Sequence, residues 1–580
     1  MWFEADEFAE IFKGYFPYYL IIALPIFIII SPVNPVAAAH EFPSYRMQHF
    51  DLHGVPHGCR SAPVSLEARP LQSWGSSAPS SQRHCLVAPL ASVSPQLLRD
   101  ALGASGSGLA PRAGALLLML PPKGSLTAED KQKILETEES LLSGQGAISI
   151  PVYFAYHSPQ LVSIIEDISS SFLVDSRPRS ALQALMNSVS ANGYQVSVSS
   201  GQAAPMSNVF VANIQGKLPG YGLEEKLPTI AIVAHYDSFG VAPELSFGAD
   251  SNASGVSLLL ELARLFSHLY SQPRSHPHVN LLFLLSSAGK FNFQGSKRWL
   301  EDHLDASDST LLQDSMFVLC LDSLGSMSSN QNHTLYMHVS KPPKEGSPAS
   351  QFFQVLKSVS QKTYPGSMNV ELIHKKINLA EESLAWEHER HSIRRLPAFT
   401  LSNFQSHKDP KRTTILDSKE WMGSKNGDTL LRNARVITEA LTLVMYNLST
   451  DHQIFSNSLG VEPSSLEAWV DYLSSQPRSA QLLANKQNPL ILTLQDAMAR
   501  YTKEVKVTYL SPDKRDPEFV FYDISKVIVN VYSVKPAVFD LFLTIAILGY
   551  LAAVYALIQN FPLVYATVSK LSFGSKPKVH

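Results

Sequence analysis

The chain has 580 residues, 45% of them hydrophobic, and a formal net charge of −3. That length allows roughly two to four domains, and the slightly acidic balance excludes the basic field that a nucleic-acid partner would need. Three cysteines, Cys59, Cys85 and Cys320, are too few for a disulfide scaffold. A Cys59–Cys85 bridge stays open, while Cys320, inside M-F-V-L-C-L-D, reads as a buried thiol in a strand.

In chain order, residues 15–31 are almost wholly apolar and lead into V-A-A-A-H, so 1–39 reads as a secretory signal peptide cleaved after Ala39. Glu4, Asp6, Glu7 and Glu10 outnumber Lys13 ahead of it, which keeps an uncleaved anchor as the alternative. Residues 40–205 form an N-terminal region. Its Ser- and Pro-rich stretch from Gly58 to Arg83 reads as a long loop, and 84–175 as a small apical-type α/β unit. From 206 to 450 buried strands alternate with helices. T-I-A-I-V-A-H-Y is a strand, Ser254–Tyr270 an amphipathic helix, V-N-L-L-F-L-L-S the next strand and F-V-L-C-L-D another. The pattern predicts an α/β fold with a mixed sheet covered by helices on both faces.

Residues 451–534 read as a partly polar helical neck. The apolar run 537–558 has membrane-spanning length, and the tail 559–580 carries Lys570, Lys576 and Lys578 without an acid. Together these predict a single C-terminal transmembrane helix in type I orientation, with the large domain luminal. Sequons at Asn252, Asn332 and Asn447 suit that topology as glycosylation sites.

In such a sheet, ligands collect beyond the carboxyl ends of strands. His235 and Asp237 follow one strand, Asp250 lies in the loop beyond, and Asp322 ends another. Imidazole and carboxylates placed there are the donors a zinc pair takes. The motifs H-Y-D-S (235–238), G-A-D-S-N-A-S-G (248–255), A-G-K-F-N-F-Q-G-S (288–296) and L-D (321–322) resemble, in order, those of the co-catalytic zinc aminopeptidase superfamily. The resemblance implies an aminopeptidase-like fold. It also implies a vestigial site in which His235 stands for the first metal histidine, Asp237 for its orienting aspartate and Asp322 for a later ligand. The same correspondence puts Ser251 where the bridging aspartate belongs, Gly289 where the general base belongs and Lys290 where a glutamate ligand belongs. The last histidine falls at Thr413, with His407 nearby.

A cation at 290 opposes a metal. Two unit charges about 4 Å apart cost roughly 4 kcal/mol at an effective dielectric of 20, and a divalent ion about twice that. The lysine is expected to pair with Asp322 or Asp250 instead, and no base is left to activate water. The expectation is a pseudoenzyme with no catalytic residue, no metal and no cofactor. A glycan on Asn252 would also wall off the cleft. The competing reading is a residual single-zinc aminopeptidase or cyclase using His235, Asp322 and His407. The run W-E-H-E-R-H (386–391) lacks H-E-x-x-H spacing and reads as a solvated helix segment.

Longer phrases, among them L-S-F-G-A-D-S-N-A-S-G-V-S-L-L-L-E-L-A-R-L-F-S and K-R-D-P-E-F-V-F-Y-D, resemble the nicalin family, degenerate membrane-anchored relatives of nicastrin. This resemblance implies a scaffold subunit of the endoplasmic reticulum membrane. Its implied partners are the Nodal modulator protein and a small multi-pass membrane subunit. The assembly would sit at the ribosome-associated translocon, serve multi-pass membrane protein biogenesis and modulate Nodal signalling.

Overall fold

A computed structural model describes residues 39–563, apart from 61, 74–82, 103–112, 125, 143–147, 176–192, 305–313, 327–332, 420–424, 456–458 and 535–536. The expected leader up to residue 38, Asn332 and the tail beyond 563 lie outside the described residues. The N-terminal region contains β1 (Ala39–Arg46), β2 (His49–Leu52), β3 (Val55–Gly58), β4 (Val64–Pro70), β5 (His84–Pro89), α1 (Pro95–Leu102), β6 (Ala113–Met119), α2 (Ala128–Leu142), β7 (Val152–Ala155), α3 (Pro159–Asp175) and β8 (Gly193–Val198). Next come β9 (Val211–Leu218), β10 (Thr229–His235), α4 (Ala253–Ser271), β11 (Asn280–Ser286), α5 (Gln294–Leu304), β12 (Ser315–Leu321), β13 (His333–Val339), α6 (Pro348–Thr363), β14 (Met368–His374), α7 (His388–Ile393), β15 (Ala398–Ser402) and α8 (Lys425–Met445). The chain continues through α9 (Pro463–Ser474), α10 (Pro489–Tyr501), β16 (Lys503–Leu510), β17 (Phe519–Phe521), β18 (Lys526–Val534) and α11 (Ala537–Gln559).

The large sheet runs β14-β13-β15-β12-β10-β11-β9-β16. At its centre β10 pairs in parallel with both β11 and β12. All seven residues of β10 and of β11 are buried, as uninterrupted apolar runs require when helices cover both faces. One face packs on α4, α6, α8, α9 and α10 in the largest core, and the other on α5 through Trp299 and Leu300. The mixed aminopeptidase-like sheet expected from the sequence is present.

Beside it stands an architecture that the sequence did not suggest, a closed barrel in the order β1-β18-β8-β4-β5-β6-β7. Part of the stretch expected to be a loop, Val64–Pro70, is the barrel strand β4. The segment expected to be a neck supplies β16 to the edge of the large sheet, β17 as the partner of β2, and β18 between β1 and β8. In β18, Val527, Val529 and Val531 point into the barrel core while Ile528 and Tyr532 are exposed, a period of two that marks a half-buried strand. Cys59, Cys85 and Cys320 are all buried and none is joined in a disulfide, so the Cys59–Cys85 bridge is not formed.

The expected transmembrane helix is corrected. Among the described residues no helix is long and apolar enough to cross a membrane. The helix α11 does form, but the side chains of 537–540 and 542 lie outside the described residues. The single-pass topology and the membrane localisation that rested on it are withdrawn with it.

One contact ties the barrel to the site end of the large sheet. Glu138 on α2 is 2% exposed and accepts from Ile415 N at 3.0 Å and from the Thr414 hydroxyl. Burial pushes its carboxyl from 4.5 up to about 7, although both hydrogen bonds oppose the shift. The folded value exceeds the unfolded one, so this stability is complete below pH 4.5 and is lost as pH rises through 7. The loss is on the order of 3 kcal/mol at 1.36 kcal/mol per unit. Glu138→Gln keeps an acceptor for Ile415 and removes the charge. In urea titrations the variant is expected to gain stability over the parent at pH 8 and to gain nothing at pH 4.5.

Candidate functional site

The site lies at the carboxyl end of β10. Past His235 the chain turns sharply because Arg478, fully buried, donates to Tyr236 O, to Phe247 O at 3.0 Å and to Gly248 O at 2.5 Å. Gly248 adopts a positive φ of 61°, and a Cβ there would meet Ser251 O at 2.4 Å, so only glycine fits. The loop then presents the amides of Asp250 and Ser251 to the Asp417 carboxylate at 2.7 and 2.9 Å. The Ser251 hydroxyl is buried without a partner.

Asn252 is the N-cap of α4 and is fully buried. Its Oδ1 accepts from Gly255 N and Ser323 N, both at 3.1 Å. Its Nδ2 donates to His235 O at 3.1 Å and Leu321 O at 2.8 Å. The nitrogen a glycan would need is committed inside the fold, so the expected glycosylation of Asn252 is corrected, and with it the idea of a glycan across the cleft. An asparagine just before a helix is a standard capping signal, and that reading outranks the sequon here.

His235 is fully buried, with Nδ1 3.5 Å from Glu387 Oε2. Glu387 Oε1 accepts the hydroxyls of Ser286 and Ser296, each at 2.5 Å. Burial works against ionising Glu387, yet His235 and the two serines hold its carboxyl below the ordinary range. The segment expected to be solvated is therefore corrected, since Trp386, Glu387, His388, Glu389 and His391 are all buried. Its charges are tolerated because the segment packs against polar strand ends, and His388 Nδ1 meets Thr400 Oγ1 at 2.9 Å.

Asp237 accepts from Gly289 N at 2.8 Å and Lys290 N at 3.4 Å. These bonds draw the 288–293 loop onto the histidine. A Cβ at Gly289 would lie 2.4 Å from His235 Cγ, so the position of the general base has no room for a side chain. Lys290 points Nζ into the interior, where it is buried without a hydrogen-bond partner. Burial first, then the nearby Arg412, lowers its ammonium to about 8 against the pull of Asp322, Asp237 and Asp417.

The cation paired with Asp322 is not Lys290. Arg412, 6% exposed, forms the ion pair with Asp322, donates to His407 O at 2.9 Å and lies 4.4 Å from the Trp386 ring centroid. Burial disfavours the Asp322 carboxylate, but Arg412, then Lys290 and His235, hold it well below the usual range. Asp250 is taken up separately by Gly325 N at 2.6 Å and the Ser326 hydroxyl. The expected lysine pairing with Asp322 or Asp250 is thus replaced by an arginine that sequence reasoning missed. Its only local signal was a basic residue directly before the aligned Thr413. His407 faces Lys375 Nζ at 3.4 Å, and no three-ligand set of His235, Asp322 and His407 is assembled.

Among the described residues no group of three His, Cys, Asp or Glu side chains is arranged to hold a metal. A guanidinium occupies the remaining aspartate, a glycine stands where the base would act and a serine where the bridge would lie. Neither added zinc nor EDTA is expected to shift the thermal midpoint of the purified chain. A zinc-dependent shift of several degrees that is lost in His235→Ala would contradict this site.

The fold and this donor set define a protein of aminopeptidase-like fold whose site keeps His235, Asp237 and Asp322 but pairs Asp322 with Arg412. The sequence matches peptidase family M28 over residues 213–371. It is 45% identical over 569 residues to the Homo sapiens protein called BOS complex subunit NCLN, covering 97% of this chain and 96% of that one. The Danio rerio protein of the same name is 44% identical over 594 residues, with 99% of each chain covered. The chain belongs to the nicalin family. The crystal structure of the γ-secretase component nicastrin superposes with a TM-score of 0.57 over 85% of this chain and 99% of its own. At 11% identity this is a likeness of fold alone.

Proposed function

We propose that the chain is a non-catalytic scaffold subunit of a multiprotein complex. In this reading it joins the Nodal modulator protein and a small multi-pass membrane subunit at the ribosome-associated translocon, serves multi-pass membrane protein biogenesis and modulates Nodal signalling. The observation that carries the scaffold reading is Arg412 paired with Asp322, a cation of the chain's own where a metal site would need a free ligand. Relatives named as subunits of the BOS complex support the assembly. Residues 206–450 act as the peptidase-like body, 40–205 as the N-terminal unit and 451–534 as the segment joining both. Asn447, exposed in the turn after α8, is the described sequon open to a glycan.

Affinity purification of the full chain with quantitative mass spectrometry tests this. Both proposed partners should be recovered in near-equal amounts with the bait, and unchanged by Lys290→Ala. Recovery of neither would end the reading.

A further inference from the structure

We propose that the surface where the loops following β13, β14 and β15 meet is a docking surface for an acidic polypeptide segment. This goes beyond the scaffold reading, which names no surface. β13 and β14 run parallel and β15 runs antiparallel to β13, and direct contacts tie the loops that follow them together. His374 Nε2 lies 3.2 Å from Ser340 O, Lys375 N donates to Val339 O at 3.0 Å, and Lys375 Nζ lies 3.4 Å from His407 Nε2. The loops thereby gather Lys341, Lys344, Lys375, Lys376, Lys408 and Lys411, of which all but Lys375 are exposed.

The same loops carry four acids, Glu345, Glu381, Glu382 and Asp409. Glu381 reaches Lys375 at 3.8 Å. Asp409 is turned onto its own backbone, accepting from Lys411 N at 2.9 Å. Among the described residues, none of the five exposed lysines forms an ion pair within the chain. Six lysines against four acids make this surface locally positive on a chain whose formal net charge is −3. Lysines drawn together from three loops repel one another, and the potential they raise extends about 8 Å at physiological salt. An opposite charge arriving from outside relieves that repulsion and is steered to this surface.

A second observation favours a polypeptide over other anions. Leu379, 76% exposed, stands among these lysines on the loop that follows β14. The loop is fastened beyond it, because Leu384 N donates to Asn292 Oδ1 at 3.0 Å and Asn292 Nδ2 donates to Glu382 O at 3.3 Å. A held apolar side chain with charges around it is the layout of an interface anchor and its rim. Glu381 and Glu382, exposed beside Leu379, would be pressed against a bilayer or a phosphate backbone, whereas a polypeptide can place its charges around them.

Fluorescence anisotropy on the full chain tests this with a labelled peptide of eight glutamates around one central leucine. The wild type should bind it, and the triple substitution Lys341→Glu, Lys344→Glu, Lys376→Glu should weaken binding at least tenfold with the thermal midpoint unchanged. The distant pair Lys226→Glu, Lys503→Glu should have no such effect. Leu379→Ser should weaken the leucine peptide severalfold and leave an all-glutamate peptide unaffected. Equal weakening by the distant pair would overturn the proposal. So would tighter binding to phosphatidylserine vesicles or to single-stranded RNA than to the peptide.

Discussion

Arg412→Ala is expected to destabilise the chain by roughly 3–5 kcal/mol, the cost of leaving a buried charge without its partner. Asp322 is 1% exposed and stays ionised because Arg412 outweighs the penalty of burial with help from Lys290 and His235. Removing the guanidinium also takes its packing from the Trp386 ring. The double substitution Asp322→Asn, Arg412→Met should recover most of the loss, since a matched neutral pair replaces a buried ion pair at little cost. The pH dependence has a definite sign. In the parent, Asp322 is depressed, so its contribution is present above 3.8 and is lost as pH falls toward the folded value. In Arg412→Ala burial is opposed only by Lys290, His235 and the Ser323 hydroxyl, so the carboxyl rises relative to the parent and acid relieves the variant. The gap between the two, measured by urea unfolding, should be smaller at pH 4.5 than at pH 7.5. A loss under about 1 kcal/mol at pH 7.5, or a gap that widens in acid, would remove Arg412 from this role.

How much of this could be read in advance depends on the distance over which each signal acts. Strands β10, β11 and β12 were legible because their apolar runs are continuous, and helix α4 because its polar start and apolar stripe are local. The barrel was not, because β18 pairs with β1 across nearly the whole chain, as in Phe42 opposite Val529. Its alternation of valines was present but was read as part of a neck. Arg412 and Asp322 are 90 positions apart, and nothing in either neighbourhood names the other. Glu387 was misjudged for a related reason. Charged residues in W-E-H-E-R-H suggest solvent, and the partners that make burial of Glu387 tolerable, His235 and two serines from β11 and α5, lie far away in sequence. Asn252 shows the converse error, a local motif given the wrong one of its two meanings.

Restoring the lost side chains is expected to fail as a route back to hydrolysis, and Gly289→Glu shows why. Its Cβ would fall 2.4 Å from Cγ of His235, an imidazole fully enclosed by the fold. Overpacking of this kind costs about 1–3 kcal/mol, and the new carboxylate would also have to be desolvated. The single variant should therefore melt several degrees below the parent. Combining it with Ser251→Asp and Lys290→Glu rebuilds the donor types but not their geometry. Asp322 would still be held by Arg412, and the 288–293 loop would still be drawn down by Asp237. The triple variant should take up no stoichiometric zinc by elemental analysis and cleave no aminoacyl amide above the background of the parent. Zinc held at one or more equivalents with an unchanged thermal midpoint would show that the loop yields freely. The pocket would then be closed by three side chains alone, rather than by the backbone path that carries them.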